Sequence, residues 1–194
     1  MISDFDFRKV TQVLNYLARE LGGTINKLKA IKLIYLADKY HLRKYGRLVT
    51  GDQYIAMKLG PVQSGVKDIA DLSDFLGSEE RDYASIFISK EGHDIGSIRE
   101  VDYDELSQTD IEALDFVLER FGNFRDSDLI KLTHRGYEWR RHENELKLRS
   151  RVSMDIIDFF EDSAKDYISE ITKDTKKAAI SFFKEDMEVN AILR

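Results

Sequence analysis

Histidine side chains are the first place to look for chemistry, because histidine serves both as a general base and as a zinc ligand. The chain carries four of them: His41, His93, His134 and His142. None belongs to an HExxH metalloprotease motif, and no GxSxG elbow supplies a serine nucleophile. Cysteine is absent, which excludes thiol nucleophiles, thiolate zinc sites and disulfides. We therefore predict no catalytic residue, no cofactor and no metal site.

Asp38 and His41 are three residues apart and would share one face of a helix. Such a pair can be a carboxylate that orients an imidazole, or two ligands of a metal ion. A catalytic zinc needs a third protein ligand, so an ordinary polar pair is the favoured interpretation. A metal-dependent hydrolase whose groups meet only in space remains an alternative function.

Two other motifs fail on their spacing. Residues 60–67 (GPVQSGVK) resemble a phosphate-binding loop, but Val66 separates the second glycine from the lysine that must follow it directly. Residues 102–104 (DYD) open like a calcium loop, but Leu106 and Ser107 occupy the positions of an oxygen ligand and a glycine. Neither segment is therefore predicted to bind its ion.

The elements that would position polar side chains are mainly helices. Apolar residues at three- and four-residue spacing predict a first helix that Gly22-Gly23 stops. A second helix, from Thr24 to Gly46, is apolar nearly all round and belongs in the centre of the fold. One small antiparallel sheet is predicted from three short runs, the last two joined by a turn at 91–94: residues 53–59, 83–90 and 97–101.

The predicted fold class is α+β and mainly α-helical, with a bundle-like domain, a sheet of about three strands and a C-terminal helix. Ser107 and Asp110 predict a capping box at the start of one helix. The charged residues 140–152 are predicted to be a surface loop. Five side chains are predicted to be largely buried: Tyr35, Leu36, Leu114, Leu132 and Trp139.

Charge is distributed unevenly along a chain whose formal net charge is −6. Residues 1–70 carry a net charge of +6, residues 71–128 carry −12, and the remainder is neutral. The acidic block is either a solvated face or a surface that attracts a basic partner. Binding of nucleic acid needs clustered cations and is disfavoured by this balance. With no signal peptide and no long apolar run, a cytoplasmic protein without membrane contact is expected.

Two stretches, 32–66 and 105–139, carry a set of signatures in a fixed order. The signatures are KLIYLAD at 32–38, YG at 45–46, GPV at 60–62, LS at 106–107, LTH at 132–134 and Trp139. In this order and spacing they resemble the Panacea domain, or SocA-like antitoxin domain, across residues 8–162. Leu59 departs from the pattern, because the family often carries an aromatic residue before Gly-Pro-Val.

The resemblance implies a mostly helical fold with a small sheet, and an antitoxin that neutralises a cognate protein toxin by direct binding. It also implies an alternative, an adaptor that presents a toxin to a cytoplasmic AAA+ protease. A phage protein without a toxin partner is a further alternative. None of these functions requires an enzyme.

The family motif supplies residues that either build the scaffold or contact the partner: Tyr35, Asp38, Gly60, Pro61, Val62, His134 and Trp139. We favour the scaffold, because buried polar groups first satisfy their own hydrogen bonds. Partner surfaces are expected in the acidic block, the 140–152 loop and the tail, residues 164–194.

The domain prediction is a Panacea-like domain over residues 1–162 and a helical extension over 163–194. One side of the extension carries an apolar stripe at helical spacing, which Ile168, Ala179 and Phe183 widen: Tyr167, Ile171, Ala178 and Phe182. The stripe either covers the chain's own core or docks on a partner, and a second copy of the chain, forming a homodimer, is one such partner.

Overall fold

A computed structural model of the chain describes residues 5–163, 168 and 170–192. Within these residues the fold is α+β and mainly helical, as predicted. The helices are α1 (Phe7–Glu20), α2 (Lys27–Tyr45), α3 (Ser64–Ala70), α4 (Ser78–Phe87), α5 (Gln108–Phe121), α6 (Asp126–Thr133), α7 (Tyr137–Arg140) and α8 (Lys173–Ile192). The strands are β1 (Thr24–Asn26), β2 (Tyr54–Met57), β3 (Gly60–Gln63), β4 (Ile88–Glu91), β5 (Asp94–Ser97) and β6 (Arg151–Ser153).

Helix α2 is the centre of the fold, as its apolar pattern predicted. Every residue from 30 to 43 is buried. The helix begins where the Asn26 side chain accepts a hydrogen bond from the amide of Leu28, and not at Thr24, which lies in β1. It ends at Gly46, whose φ of +75° is the left-handed conformation that glycine tolerates. Its neighbours, α5, α6, α8 and β3, surround it.

The prediction of one sheet was wrong, because the strands form two three-stranded antiparallel sheets among the described residues. The first has the order β1-β5-β4 and the second the order β3-β2-β6. Residues 24–26 and 151–153 escaped prediction since each strand is only three residues long and pairs with a segment distant in sequence. The 140–152 loop accordingly ends in the first residues of β6.

The run 83–90 was predicted as a strand, but residues 83–87 belong to α4 and only residues from 88 onward form β4. The helical conformation is favoured over a strand here because Tyr83, Ala84 and Phe87 share one face of the helix. Tyr83 packs edge-on against Phe7 of α1, with ring centroids 5.8 Å apart, and Ala84 is fully buried. The Glu80 carboxylate accepts a 2.8 Å hydrogen bond from the amide of Gly77 at the start of the helix.

The turn predicted at 91–94 does join two antiparallel strands, in which Glu91 pairs with Asp94. The second strand is displaced from its predicted position, because β5 covers 94–97 and most of 97–101 lies beyond it. The capping box is confirmed: the Ser107 hydroxyl accepts from the amide of Asp110, and the Asp110 carboxylate accepts from the amide of Ser107.

The five side chains predicted to be buried are all in the core. Tyr35, Leu36 and Leu114 are fully buried, and Leu132 and Trp139 are each 7% exposed. Among the described residues no helix combines the length and the apolar character needed to cross a membrane.

Helix α8 packs against α2 through two residues that widen the predicted stripe, and not through Ala178 and Phe182 of the stripe itself. Ala179 and Phe183 are buried, and the Phe183 ring lies 5.6 Å from that of Phe160. Ala178 is exposed and Phe182 is 52% exposed. The apolar residues of this helix therefore occupy both an inner and an outer face; Tyr167 of the predicted stripe lies outside the described residues.

Candidate functional site

The structure gathers the motif residues around the middle of α2. Tyr35 and Asp38 project from α2 itself, Gly60–Val62 lie in β3, and His134 and Trp139 flank the short connection between α6 and α7. Three polar clusters and one apolar cavity result.

The first cluster is centred on the fully buried carboxylate of Asp38. It accepts hydrogen bonds from the amides of Val49 and Thr50 at 2.7 and 3.0 Å, from the Thr50 hydroxyl at 2.6 Å and from the Tyr54 hydroxyl. Burial raises the pKa of Asp38 to about 6, although these bonds favour the ionised form. The carboxylate thus joins α2 to the segment that leads into β2.

The predicted pairing of Asp38 with His41 was wrong. The Nδ1 atom of His41 lies 2.8 Å from the carbonyl oxygen of Arg47, and its Nε2 atom lies 3.0 Å from the Thr109 hydroxyl. Burial lowers the pKa of His41 to about 4. Within the described residues no three His, Asp or Glu side chains are arranged to hold a metal ion.

The second cluster is a buried ion pair between α2 and α7. The Nζ atom of Lys39 lies 2.7 and 3.0 Å from the two carboxylate oxygens of Glu138, and neither side chain is exposed. The Tyr35 hydroxyl donates to the same carboxylate. A buried pair of this kind fixes the position of the short helix, since separating the charges would leave each in a medium of low dielectric.

The third cluster surrounds the turn into β3, where Gly60 has a φ of +99°. A Cβ at this position would lie 2.9 Å from both the Nζ atom of Lys32 and the hydroxyl of Thr133, so the backbone conformation and the space both require glycine. The Lys32 ammonium donates a 2.7 Å hydrogen bond to the carbonyl of Pro61. Burial lowers the pKa of Lys32 to about 7.

His134 and Trp139 meet around Gly136, as predicted. Their rings are stacked with centroids 3.8 Å apart and an angle of 6° between the planes. The indole Nε1 of Trp139 donates to the carbonyl of Met57 at 3.0 Å, which ties α7 to β2. Burial, with a smaller contribution from the charge of Lys32, lowers the pKa of His134.

A cavity of about 420 Å³ opens beside the third cluster. It lies between the first half of α2, the turn that joins β2 to β3, and α3. Val62, a half-buried member of the motif, contributes to its wall, and Leu59 at its edge is 56% exposed. The lining comprises Lys27, Leu28, Ile31, Lys32, Met57, Lys58, Leu59, Val62, Lys67 and Ser150. We refer to it below as the lysine-rimmed cavity.

The lining of this cavity contains four lysines and no acidic residue. Two of them, Lys27 and Lys67, contact the carboxylate of Asp71 at 2.6 and 3.2 Å, and Lys90 contacts it at 3.3 Å. Burial alone would raise the pKa of Asp71, but these ammonium groups outweigh it and lower that pKa to about 2. Lys67 also lies 3.7 Å from the carboxylate of Asp68. Three ammonium groups facing two carboxylates leave the rim of the cavity positive.

The comparison with protein families matches residues 31–140 to the family described as "Antitoxin SocA-like, Panacea domain". The chain belongs to this family. The matched segment runs from α2 to the end of α7 and contains every motif residue and most of the lysine-rimmed cavity. No curated protein and no solved structure gives a significant match.

Sequence reasoning missed the cations that the Panacea domain buries in α2. Lys32 and Lys39 are described above, and the guanidinium of Arg43 donates to the carbonyls of Phe159 and Glu161 at 2.6 and 2.7 Å. The sequence did carry a signal for them. The cations of a helix that is apolar nearly all round must be buried, and they then need acceptors from other parts of the fold. The identity of the acceptors, and of Glu138 in particular, could not be predicted from the sequence.

Proposed function

We propose that this Panacea-domain protein is an antitoxin that neutralises a cognate protein toxin by direct binding. The observation that carries the proposal is its membership of the SocA-like antitoxin family over more than half of the chain. In the proposed function the protein is not an enzyme and acts in the cytoplasm, where it occludes its toxin.

The contacts of the motif residues support this proposal. Asp38 uses its carboxylate to join two segments, and Gly60 gives the backbone the space to pass over Lys32. Trp139 ties α7 to β2. Side chains engaged in this way build a scaffold and are not free to bind substrate, which agrees better with a binding module than with an assembled active site.

A scaffold of this kind leaves the exposed surface to contact the toxin. The acidic block presents exposed carboxylates on α4 and on the loop before α5, among them Glu79, Asp82 and Asp104. Such a surface steers a cationic partner toward the protein and raises the rate of association. The lysine-rimmed cavity offers a second surface of opposite charge.

The test is co-expression with each of the two reading frames that flank the gene. One of them is expected to arrest growth when expressed alone, and the antitoxin should restore growth while the toxin remains at an unchanged level on an immunoblot. If the antitoxin acts by occluding the toxin, the same rescue is expected in a strain without its AAA+ proteases. Rescue accompanied by loss of the toxin, and abolished in that strain, would favour the adaptor. Unrelieved arrest at comparable expression would contradict both functions.

A further inference from the structure

We propose that the lysine-rimmed cavity binds an acidic segment of a protein partner, one bulky apolar side chain of which fills the cavity while flanking carboxylates pair with the lysines. The inference rests on the proposed function, because it names the chemistry of the toxin segment that the antitoxin would hold.

The shape and lining of the cavity suit an apolar anchor. Its volume of about 420 Å³ falls in the range of roughly 300–1,000 Å³ that is typical of ligand sites in proteins. Its walls are formed by aliphatic side chains, with Ile31 and Val62 on opposite elements and Leu59 at the mouth. The 56% exposure of Leu59 would fall when an apolar group entered, and removing that surface from water favours binding.

The charges at the rim select an acidic partner. Lys58 is exposed on the turn between β2 and β3 and forms no ion pair with any described residue. Lys27 and Lys67 share the carboxylate of Asp71 with Lys90, and Lys67 also lies 3.7 Å from the carboxylate of Asp68. The net charge of the whole chain is −6, so this cationic rim is a local exception that an acidic peptide would complement.

Lys32 supplies a further cation beneath the apolar wall. Its ammonium donates to the carbonyl of Pro61, and no carboxylate of the described residues pairs with it. Burial holds its pKa near 7, so a bound carboxylate nearby would favour its protonated form. The floor of the cavity thereby adds to the attraction for an anion.

A peptide is a better occupant than a nucleic acid. Single-stranded nucleic acids bind largely through bases stacked on aromatic rings, and the lining of this cavity contains none. The deep part offers aliphatic surface and few polar groups, which suits a leucine or phenylalanine side chain. The acidic block is not the binding site for this segment, because its carboxylates would repel an acidic peptide.

The test uses the full chain and a fluorescein-labelled peptide, Asp-Glu-Asp-Leu-Phe-Glu-Asp-Glu, in a fluorescence-polarisation titration. Two matched peptides carry Ser-Ser in place of Leu-Phe, or Asn and Gln in place of the acids. Lys58→Glu and Leu59→Ser alter exposed residues of the cavity. Lys184→Glu and Leu148→Ser make the same changes at exposed positions outside it.

Saturable binding that weakens with added salt is expected for the first peptide, with affinity at least about ten-fold higher than for either matched peptide. Lys58→Glu and Leu59→Ser should each weaken it about five- to ten-fold, and the two control variants should leave it unchanged. No saturable binding up to about 1 mM, equal binding of all three peptides, or displacement by a twelve-residue oligothymidine but not by unlabelled peptide would overturn the inference.

Growth rescue separates this inference from the proposed function. If the unaltered chain neutralises the toxin and the two cavity variants do so equally well, the inference fails and the antitoxin function stands. If the unaltered chain neutralises no flanking product although the peptide binds in the cavity as expected, the proposed function fails and the cavity remains a peptide site for another partner.

Discussion

Replacing Lys32 by Met should change how the stability of the protein depends on pH. The Lys32 ammonium is buried beneath β3, where it donates to the carbonyl of Pro61 without a pairing carboxylate among the described residues. Burial lowers its pKa from 10.5 to about 7. In the unfolded chain the ammonium is solvated and keeps its ordinary pKa, so folding above pH 7 releases a proton.

The sign and size of the effect follow from this difference. Below pH 7 the lysine is protonated in both states, and the full cost of burying its charge opposes folding. The pKa of Lys32 is lowered by roughly 3.5, and each unit of pKa corresponds to about 1.36 kcal/mol, so this cost is about 5 kcal/mol. As pH rises from 7 toward 10.5, the folded state is neutral while the unfolded state still carries the proton, so stability increases. Between pH 7 and pH 9 the increase is about 2 kcal/mol.

The assay is urea denaturation of the unaltered chain and of Lys32→Met at several values between pH 6 and pH 9. Subtracting the two free energies of unfolding removes the contributions of all groups that both proteins share. The difference should grow in favour of the unaltered chain by about 2 kcal/mol between pH 7 and pH 9. Lys32→Gln, which keeps a polar end but cannot titrate, should give the same slope. A difference that does not vary with pH would refute the reasoning.

Three further predictions concern the scaffold. Trp139→Ala should lower the free energy of unfolding by about 3–5 kcal/mol in urea denaturation, because the indole is buried and tied to β2; a loss below about 1 kcal/mol would show that the site collapses. Glu138→Gln should cost about 3 kcal/mol in the same assay, since it removes the negative charge beside buried Lys39; an unchanged midpoint would contradict this. Deletion of residues 164–194 should lower the melting temperature by several degrees in a calorimetric scan, because Phe183 packs into the core; lost neutralisation at an unchanged melting temperature would instead assign the tail to a partner.

Local patterns predicted the helical framework well. Apolar residues on nearly all sides of the second helix predicted that α2 lies at the centre of the fold, and α2 ends at Gly46 as expected. The capping box at Ser107 and the turn at 91–94 were also readable, because a few neighbouring residues determine each of them. These features depend on spacing within the segment itself.

Features that depend on distant partners could not be predicted. The run 83–87 has aromatic and branched residues typical of a strand, but α1 supplies the surface on which it packs as a helix. Strand β6 exists only because β2 offers an unpaired edge nearly a hundred residues earlier in the chain. The pairing of Lys39 with Glu138, and the cavity beside Lys32, likewise arise where separate elements meet.

Inhibition of the purified toxin by the purified antitoxin tests the central claim most directly. Both proteins would be mixed without any protease, and toxin activity would be titrated while complex formation is followed by calorimetry. Direct neutralisation predicts that activity falls to zero at a fixed stoichiometric ratio and that the same ratio appears in the heat of binding. A toxin that stays fully active at a large molar excess of the antitoxin, or that is inhibited without forming a complex, would contradict the account.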